Sequence, residues 1–244
     1  MEELLVEDHS AVRLLTMNRP LKHNALNTGL TRALLDALLS AQEKESCRAI
    51  VLAGAGKSFC AGADVGEFAA LSGDDARAAR ERADLTAALH RVFSKISKPI
   101  ISAVHGNALG GGAGLALACD LMVVADDMRF GYPELSHGIV AAIVMANLVR
   151  QVGQKTAFCM VSTGRVLNGA DAVGLGIAMS SEPAGHVLDR AMGVASALAA
   201  CHPDAMEATK NLFYRVSSLP FDEALTVGRD TNVIMRSFRK TESR

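Results

Sequence analysis

The sequence is poor in the features that mark several large classes of protein. Its five cysteines, Cys47, Cys60, Cys119, Cys159 and Cys201, are odd in number, widely scattered, and never form a Cys-x-x-Cys pair. That spacing signals neither a zinc site nor a disulfide framework, so no metal is expected, and reduced thiols fit a cytoplasmic protein. No apolar stretch approaches the roughly 20 residues needed to span a bilayer. The N-terminus, Met1-Glu2-Glu3-Leu4-Leu5-Val6-Glu7-Asp8, is acidic and lacks the apolar core of a signal peptide. Charge of one sign is missing as well: 25 Lys and Arg face 26 Asp and Glu, a formal net charge of -1. Without a basic face there is no electrostatic reason to expect a nucleic-acid partner. The local group Arg236, Arg239 and Lys240 reads as a solvated helix face. What remains is a chain of 244 residues, half of them hydrophobic, long enough to bury a sizeable core.

The chain opens with two strand-like runs, Leu4 to Glu7 and Val12 to Met17, around the turn Asp8-His9-Ser10. Thr28 is placed to cap a helix running to about Glu45, with Leu30, Leu34, Leu35 and Leu38 as its apolar stripe. Arg48 to Ala53 and Ile100 to Val104 are continuous apolar runs, the pattern of strands covered on both faces. Between them Asp74 to Ile96 reads as a helix that stops before Pro99. A third buried strand is expected over Leu121 to Val124 and a short fourth over Met128 to Tyr132. Beyond Val140 the pattern is mainly helical, with helices expected near 140-151, 154-163, 169-174, 184-200, 203-217 and 221-237. Strands alternating with helices and then a helical tail describe an α/β layered fold, read here as one domain without a Pro/Ser linker or repeat.

Two phosphate-binding readings fail on spacing. Gly56-Lys57-Ser58 follows a strand, as the end of a Walker A loop would, but Val51 stands where that motif needs its first glycine. The run Gly110-Gly111-Gly112-Ala113-Gly114 does not satisfy Gly-x-Gly-x-x-Gly, because Leu115 or Leu117 falls on the last position. A different reading accounts for both glycine-rich segments. Each follows an apolar strand and precedes a helix, so each brings small residues and unpaired backbone N–H groups to the end of a sheet. Two such loops facing each other would form an oxyanion hole for a thioester carbonyl turning into an enolate. Plain tight turns explain the same residues equally well from physics alone.

Further residues decide between these. Asn24-Ala25-Leu26, Phe59-Cys60-Ala61-Gly62-Ala63-Asp64, Gly106-Asn107-Ala108-Leu109-Gly110-Gly111-Gly112, Cys119-Asp120 and Phe130-Gly131-Tyr132-Pro133-Glu134 occur in this order. In that order and spacing the chain resembles the crotonase (enoyl-CoA hydratase/isomerase) family over about residues 5-240. The resemblance implies an α/β crotonase-like fold of repeated ββα units over about 1-185. A helical C-terminal region, about 186-244, would build a homotrimer or homohexamer. It also implies an acyl-CoA thioester as substrate, with no cofactor because coenzyme A is part of that substrate. Carried over by position, the backbone N–H groups of Ala61 and Gly111 form the oxyanion hole. Ala61, Gly62, Ala63 and Asp64 line the coenzyme A site with Gly110, Gly111 and Gly112. Lys22 and Ala25 lie in the nucleotide-end pocket, although Lys22 reads equally as an exposed surface lysine.

The sequence departs from the family pattern in three places. Hydratases of the family commonly hold one water between two glutamates; Glu134 keeps one, whereas Gly114 stands at the other. Glu134, in an apolar pocket, is expected to have a raised pKa and to act as acid and base. His137 and Glu67 are secondary candidates, each also readable as a surface or helix-capping residue. The loop Gly138-Ile139-Val140-Ala141-Ala142-Ile143-Val144 replaces a more glycine-rich stretch and should reshape the acyl pocket. After Phe238-Arg239-Lys240-Thr241-Glu242 only Ser243 and Arg244 follow, where relatives often continue into a further helix. The leading expectation is an enoyl-CoA hydratase. The alternatives are a Δ3,Δ2-enoyl-CoA isomerase using Glu134 alone, and a catalytically silent acyl-CoA binder.

Overall fold

A computed structural model describes residues 2-67 and 76-236. Its main sheet has six strands in the order β1-β2-β3-β4-β6-β8. These are β1 (Leu4–His9), β2 (Val12–Met17), β3 (Ala49–Gly54), β4 (Ile100–Val104), β6 (Leu121–Ala125) and β8 (Ser180–Glu182). Only the β1-β2 hairpin is antiparallel; every other pair is parallel. A second, two-stranded parallel sheet joins β5 (Asn107–Leu109) to β7 (Arg129–Gly131).

Composition explains the ranking of these strands. Ala49 to Ala53 and all of β4 are buried, as expected for parallel strands covered on both faces, whereas β1 is mostly exposed at the edge. Helix α6 (Val187–Ala199) lies across β2, β3, β4 and β6, presenting Val187, Ala191, Val194, Ala195 and Ala199. Helix α1 (Thr28–Glu43) packs on β1, β2 and α2 (Ala76–Val92). Its cap is Asn27 rather than Thr28: Asn27 Oδ1 accepts from Leu30 N at 2.8 Å, and Thr28 is the first helical residue. Asn27 has the extended backbone an N-cap requires, so the one-residue shift costs the helix nothing.

The helical half begins with α3 (Gly111–Ala118), then α4 (Met145–Thr163), α5 (Gly169–Gly174), α6, α7 (Pro203–Val216) and α8 (Phe221–Met235). The two helices expected on either side of residue 153 are present within α4, separated by a kink at Gly153, whose φ of 76° and ψ of 166° no helix accommodates. Helix α4 starts at Met145 rather than near 140, leaving 138-144 as a loop. Strands β5 and β8 escaped the sequence reading because three residues are too few to carry a periodicity. The first two residues expected for α2, Asp74 and Asp75, lie outside the described residues, and so do residues 237-244.

Helix α7 is pinned to the sheet by a buried polar knot. Lys210 Nζ reaches Asp120 Oδ2 at 2.6 Å and the Lys98 carbonyl at 2.9 Å, while Tyr214 Oη donates to Asp120 Oδ1 at 2.8 Å. Asp120 also accepts from Ile100 N at 2.7 Å, so one carboxylate ties β4, the end of α3 and α7 together. No described helix is long and apolar enough to cross a membrane. No group of three or more His, Cys, Asp or Glu that could hold a metal occurs among the described residues.

Candidate active site

The two glycine-rich loops do face each other. Cys60 and Ala108 form an isolated parallel bridge, with Cys60 N donating to Asn107 O at 2.9 Å and Leu109 N to Cys60 O at 3.0 Å. Leu26 and Ala63 form another, in which Leu26 N donates to Gly62 O at 2.7 Å and Asp64 N to Leu26 O at 3.1 Å. Backbone groups alternate in direction along an extended segment. With Gly62 O and Asp64 N turned toward Leu26, the Ala63 N–H turns the opposite way, toward α3. It has no hydrogen-bond partner among the described residues, and a Cβ on Gly111 would lie 3.7 Å from the Ala63 nitrogen. The Gly111 N–H opens α3 and is likewise without a partner among the described residues. Two unpaired donors on facing loops are what a developing oxyanion requires.

This geometry corrects one expectation. The Ala61 N–H donates to the His23 carbonyl at 2.9 Å and so is not a free donor. Within Ala61-Gly62-Ala63 the donor that remains open is Ala63. Sequence spacing placed the right turn but could not say which amide of it points inward.

Close approach explains the glycines. Gly110 has a φ of 51°, and a Cβ there would lie 2.6 Å from Glu134 Oε1. A Cβ on Gly112 would lie 2.1 Å from the Cys60 carbonyl oxygen. The loops meet backbone to backbone, and any side chain would separate them.

Glu134 enters from a single 3-10 turn, Glu134–His137, closed by Gly138 in the left-handed conformation. Its Oε2 is buried and has no hydrogen-bond partner among the described residues, and burial raises its pKa above the ordinary carboxylate value. The neighbouring Tyr132 hydroxyl is also buried without a partner, and burial together with the Glu134 charge pushes it up. Cys60 lies in the same wall, but burial pushes its thiol up to about 12, so it is no nucleophile at neutral pH.

Comparison with known proteins gives this geometry its family. The family model described as "Enoyl-CoA hydratase/isomerase" matches residues 7–242. The chain is 35% identical over 226 residues to a Thermus thermophilus protein named as an enoyl-CoA hydratase, covering 92% of this chain and 89% of that one. It is 36% identical to the 2,3-dehydroadipyl-CoA hydratase of Escherichia coli, covering 86% and 81%. The solved enoyl-CoA hydratase of Mycobacterium smegmatis superposes with a TM-score of 0.90 at 31% identity, covering 95% of this chain and 90% of that one. The chain belongs to the enoyl-CoA hydratase/isomerase family. Its fold is the crotonase fold of that family, and it is an enzyme of the hydratase/isomerase type.

Among family features, the loop bearing Asn24, Ala25 and Leu26 is tightly hydrogen-bonded. Asn24 is fully buried at a φ of 56° and donates to Ala55 O (2.9 Å) and Ser58 O (2.7 Å) while accepting from Arg19 N (2.9 Å). Those bonds fix His23 so that its carbonyl meets Ala61. Asp64 is ion-paired to Arg19 at 2.9 Å, which holds its carboxyl below the usual range. Its side chain therefore clamps the turn to the Arg19 loop. Lys22 is exposed at the end of a 3-10 turn, and Ala25 is half-buried beside it.

The two secondary candidates separate. Glu67 caps α1, accepting from Thr28 N at 2.8 Å and 3.0 Å, and it pairs with Arg82 at 3.4 Å; this is a structural role. His137 is exposed, and its charge acts on Glu134 only at a distance.

Three groups near these loops were not singled out from the sequence: the Ala63 N–H, His90 and Val144. Both ring nitrogens of His90 are buried and without hydrogen-bond partners among the described residues, and burial lowers its pKa to about 4. A Cβ on Gly114 would lie 3.1 Å from His90 Cε1 and 2.1 Å from Val144 Cγ1. The signal for His90 was available: it directly follows Leu89 on the buried face of α2, with Phe93 three residues on.

Proposed function

We propose that the protein is an enoyl-CoA hydratase, adding water reversibly to a 2-enoyl-CoA. The observation that carries this is the pair of unpartnered N–H groups, Ala63 and Gly111, the latter one residue along the chain from Gly110, against which Glu134 rests. A thioester carbonyl seated between the two N–H groups gains most as negative charge develops on its oxygen. The α-carbon next to that carbonyl then lies within reach of Glu134, whose pKa burial raises, which favours its taking up and passing on a proton. The hydratase names of the relatives support water as the co-substrate. No cofactor is required, coenzyme A being part of the substrate, with Lys22 and Ala25 near its nucleotide end and Gly62, Asp64, Gly110 and Gly112 shaping the thioester end. The cytoplasm is the expected compartment.

A second reading, Δ3,Δ2-enoyl-CoA isomerisation, draws on Val144. That side chain fills the space beside Gly114, where a second carboxylate would otherwise reach. Isomerisation needs one base and no water. Incubation of crotonyl-CoA and a 3-enoyl-CoA in ¹⁸O-labelled water, followed by mass spectrometry, separates the two. A product heavier by one labelled water supports hydration. A moved double bond without added water replaces it with isomerisation.

We further propose a homotrimer or a pair of trimers assembled through residues 186-244. Phe213 on α7 and Phe221, Leu225 and Val233 on α8 are large, apolar and exposed, which suits a face that a neighbouring subunit covers. Light scattering or sedimentation measures this directly.

A further inference from the structure

A buried polar atom without a partner is costly, and an imidazole with both nitrogens buried and unpaired is doubly so. His90 is in that state, and its surroundings indicate which way it points. Cε1, the carbon lying between the two nitrogens, is the ring atom closest to the position of a Cβ on Gly114. The nitrogen-bearing edge of the ring is therefore turned onto α3, at the end of the turn that begins with Gly110 and Gly111. Gly114 N donates to Gly110 O at 2.9 Å, so the two glycines are stacked one turn apart. Glu134 lies against Gly110 and His90 against Gly114, the two ends of this hydrogen-bonded turn. Glu134 Oε2, like the His90 nitrogens, is buried without a hydrogen-bond partner among the described residues.

Resting on the hydratase reading above, we infer that His90 supplies the second hydrogen-bonding group for the attacking water, in place of a carboxylate at position 114. The neutral ring accepts one hydrogen of the water through an unprotonated nitrogen, which directs the oxygen lone pair at the β-carbon. In the addition the water oxygen bonds to the β-carbon, and the C=C π pair moves to the thioester oxygen as enolate. The water O–H bond breaks, with its proton passing to Glu134 Oε2. Collapse of the enolate then takes that same proton from Glu134 onto the α-carbon. One water is consumed, Glu134 begins and ends as the carboxylate, and His90 changes neither charge nor proton count. That assignment agrees with an imidazole held neutral by burial and a carboxylate whose readiness to take up a proton burial increases.

The test compares two reactions of the full-length enzyme. Hydration of crotonyl-CoA needs water at the β-carbon, whereas solvent deuterium exchange at the α-carbon of butyryl-CoA needs only the two N–H donors and Glu134. In His90→Leu, hydration is expected to fall by about 100-fold, the scale of a lost positioning contact. Exchange should remain within about threefold by the same argument. His90→Asn and His90→Gln, which each keep a hydrogen-bonding group on the ring side, should recover part of the hydration rate and none of the exchange, which was never lost. Hydration by His90→Leu at the wild-type rate overturns the inference. So does an equal loss of both reactions in all three variants with coenzyme A binding intact, because His90 would then act on the enolate step. A wild-type enzyme that exchanges the α-proton but never adds water overturns the hydratase reading itself, a result read before any variant is made.

Discussion

Val144 occupies the volume that a side chain on residue 114 would need: a Cβ on Gly114 would sit 2.1 Å from Val144 Cγ1 and 2.6 Å from its Cβ. The loss of a glutamate on α3 and the altered loop 138-144 are thus one substitution in space, although they lie about thirty residues apart in sequence. Gly114→Ala is expected to destabilise the protein by about 1–3 kcal/mol through overpacking. Val144→Ala alone should also destabilise, yet the double variant should recover much of the loss. Denaturant titration of all four proteins gives the coupling, and strict additivity would mean that the two residues do not compete for the same space.

A second expectation concerns Gly110. Its left-handed backbone and its contact with Glu134 make Gly110→Ala unfavourable twice over, by about 1 kcal/mol or more from backbone alone. The added methyl must also push the carboxylate away from the α-carbon. The α-proton exchange rate should drop by about 100-fold in protein that remains folded. Exchange at the wild-type rate would remove Glu134 from the reacting centre.

Glu134→Gln keeps the shape and deletes the proton. It should lower both exchange and hydration by roughly 10²–10⁴-fold, the usual weight of a general acid–base group. Coenzyme A affinity, measured by calorimetry, should be unchanged. A variant that still turns over would refute the role given to this residue.

Asn24 makes three hydrogen bonds from a fully buried position. Asn24→Ala would leave the Ala55 and Ser58 carbonyls and the Arg19 N–H without their partner, at a cost of about 2–4 kcal/mol. The His23 carbonyl would lose its anchor with them, so coenzyme A affinity should weaken alongside the melting temperature. A stable variant with full affinity would contradict this.

The pH dependence of stability follows from His90. Its folded pKa of about 4 lies below the ordinary 6.5, so the unfolded chain binds the extra proton between those values. Stability must then fall as pH drops from 6.5 toward 4, by about 2 kcal/mol between pH 7 and pH 5 from this group. His90→Leu, which has nothing to protonate, should show a flatter melting profile over that interval. Parallel profiles would mean that His90 is solvated in the folded protein.

Much of the architecture was legible because it rests on long, strongly patterned segments. The apolar runs at 49-53 and 100-104 can only be covered strands, and the stripe of Leu30, Leu34 and Leu38 can only be one helix face. Motif order identified the turn at 61-64 and Glu134. The distinction between Ala61 and Ala63 was not legible, because it depends on which neighbour accepts each amide: His23, a residue nearly forty positions earlier, takes one and leaves the other. The meeting of His90 with Val144 was hidden for a similar reason. Each is an ordinary residue in its own segment, and becomes informative only when three separate elements converge on Gly114. Short strands such as β5 carry no period and are defined by what they pair with.

The polar knot at Asp120 also bears on how the site is held. Helix α3 is eight residues long, about 12 Å from end to end. Its first residue offers the Gly111 donor, and Asp120, two residues past its last, is gripped by Lys210 and Tyr214 of α7. The helix is a short rod with the unpartnered Gly111 N–H at one tip and the grip of the C-terminal helices at the other. In the proposed trimer, a neighbour settling on α7 and α8 would lean on the far tip of that rod, so that association and the proposed polarisation of the thioester would share one mechanical element.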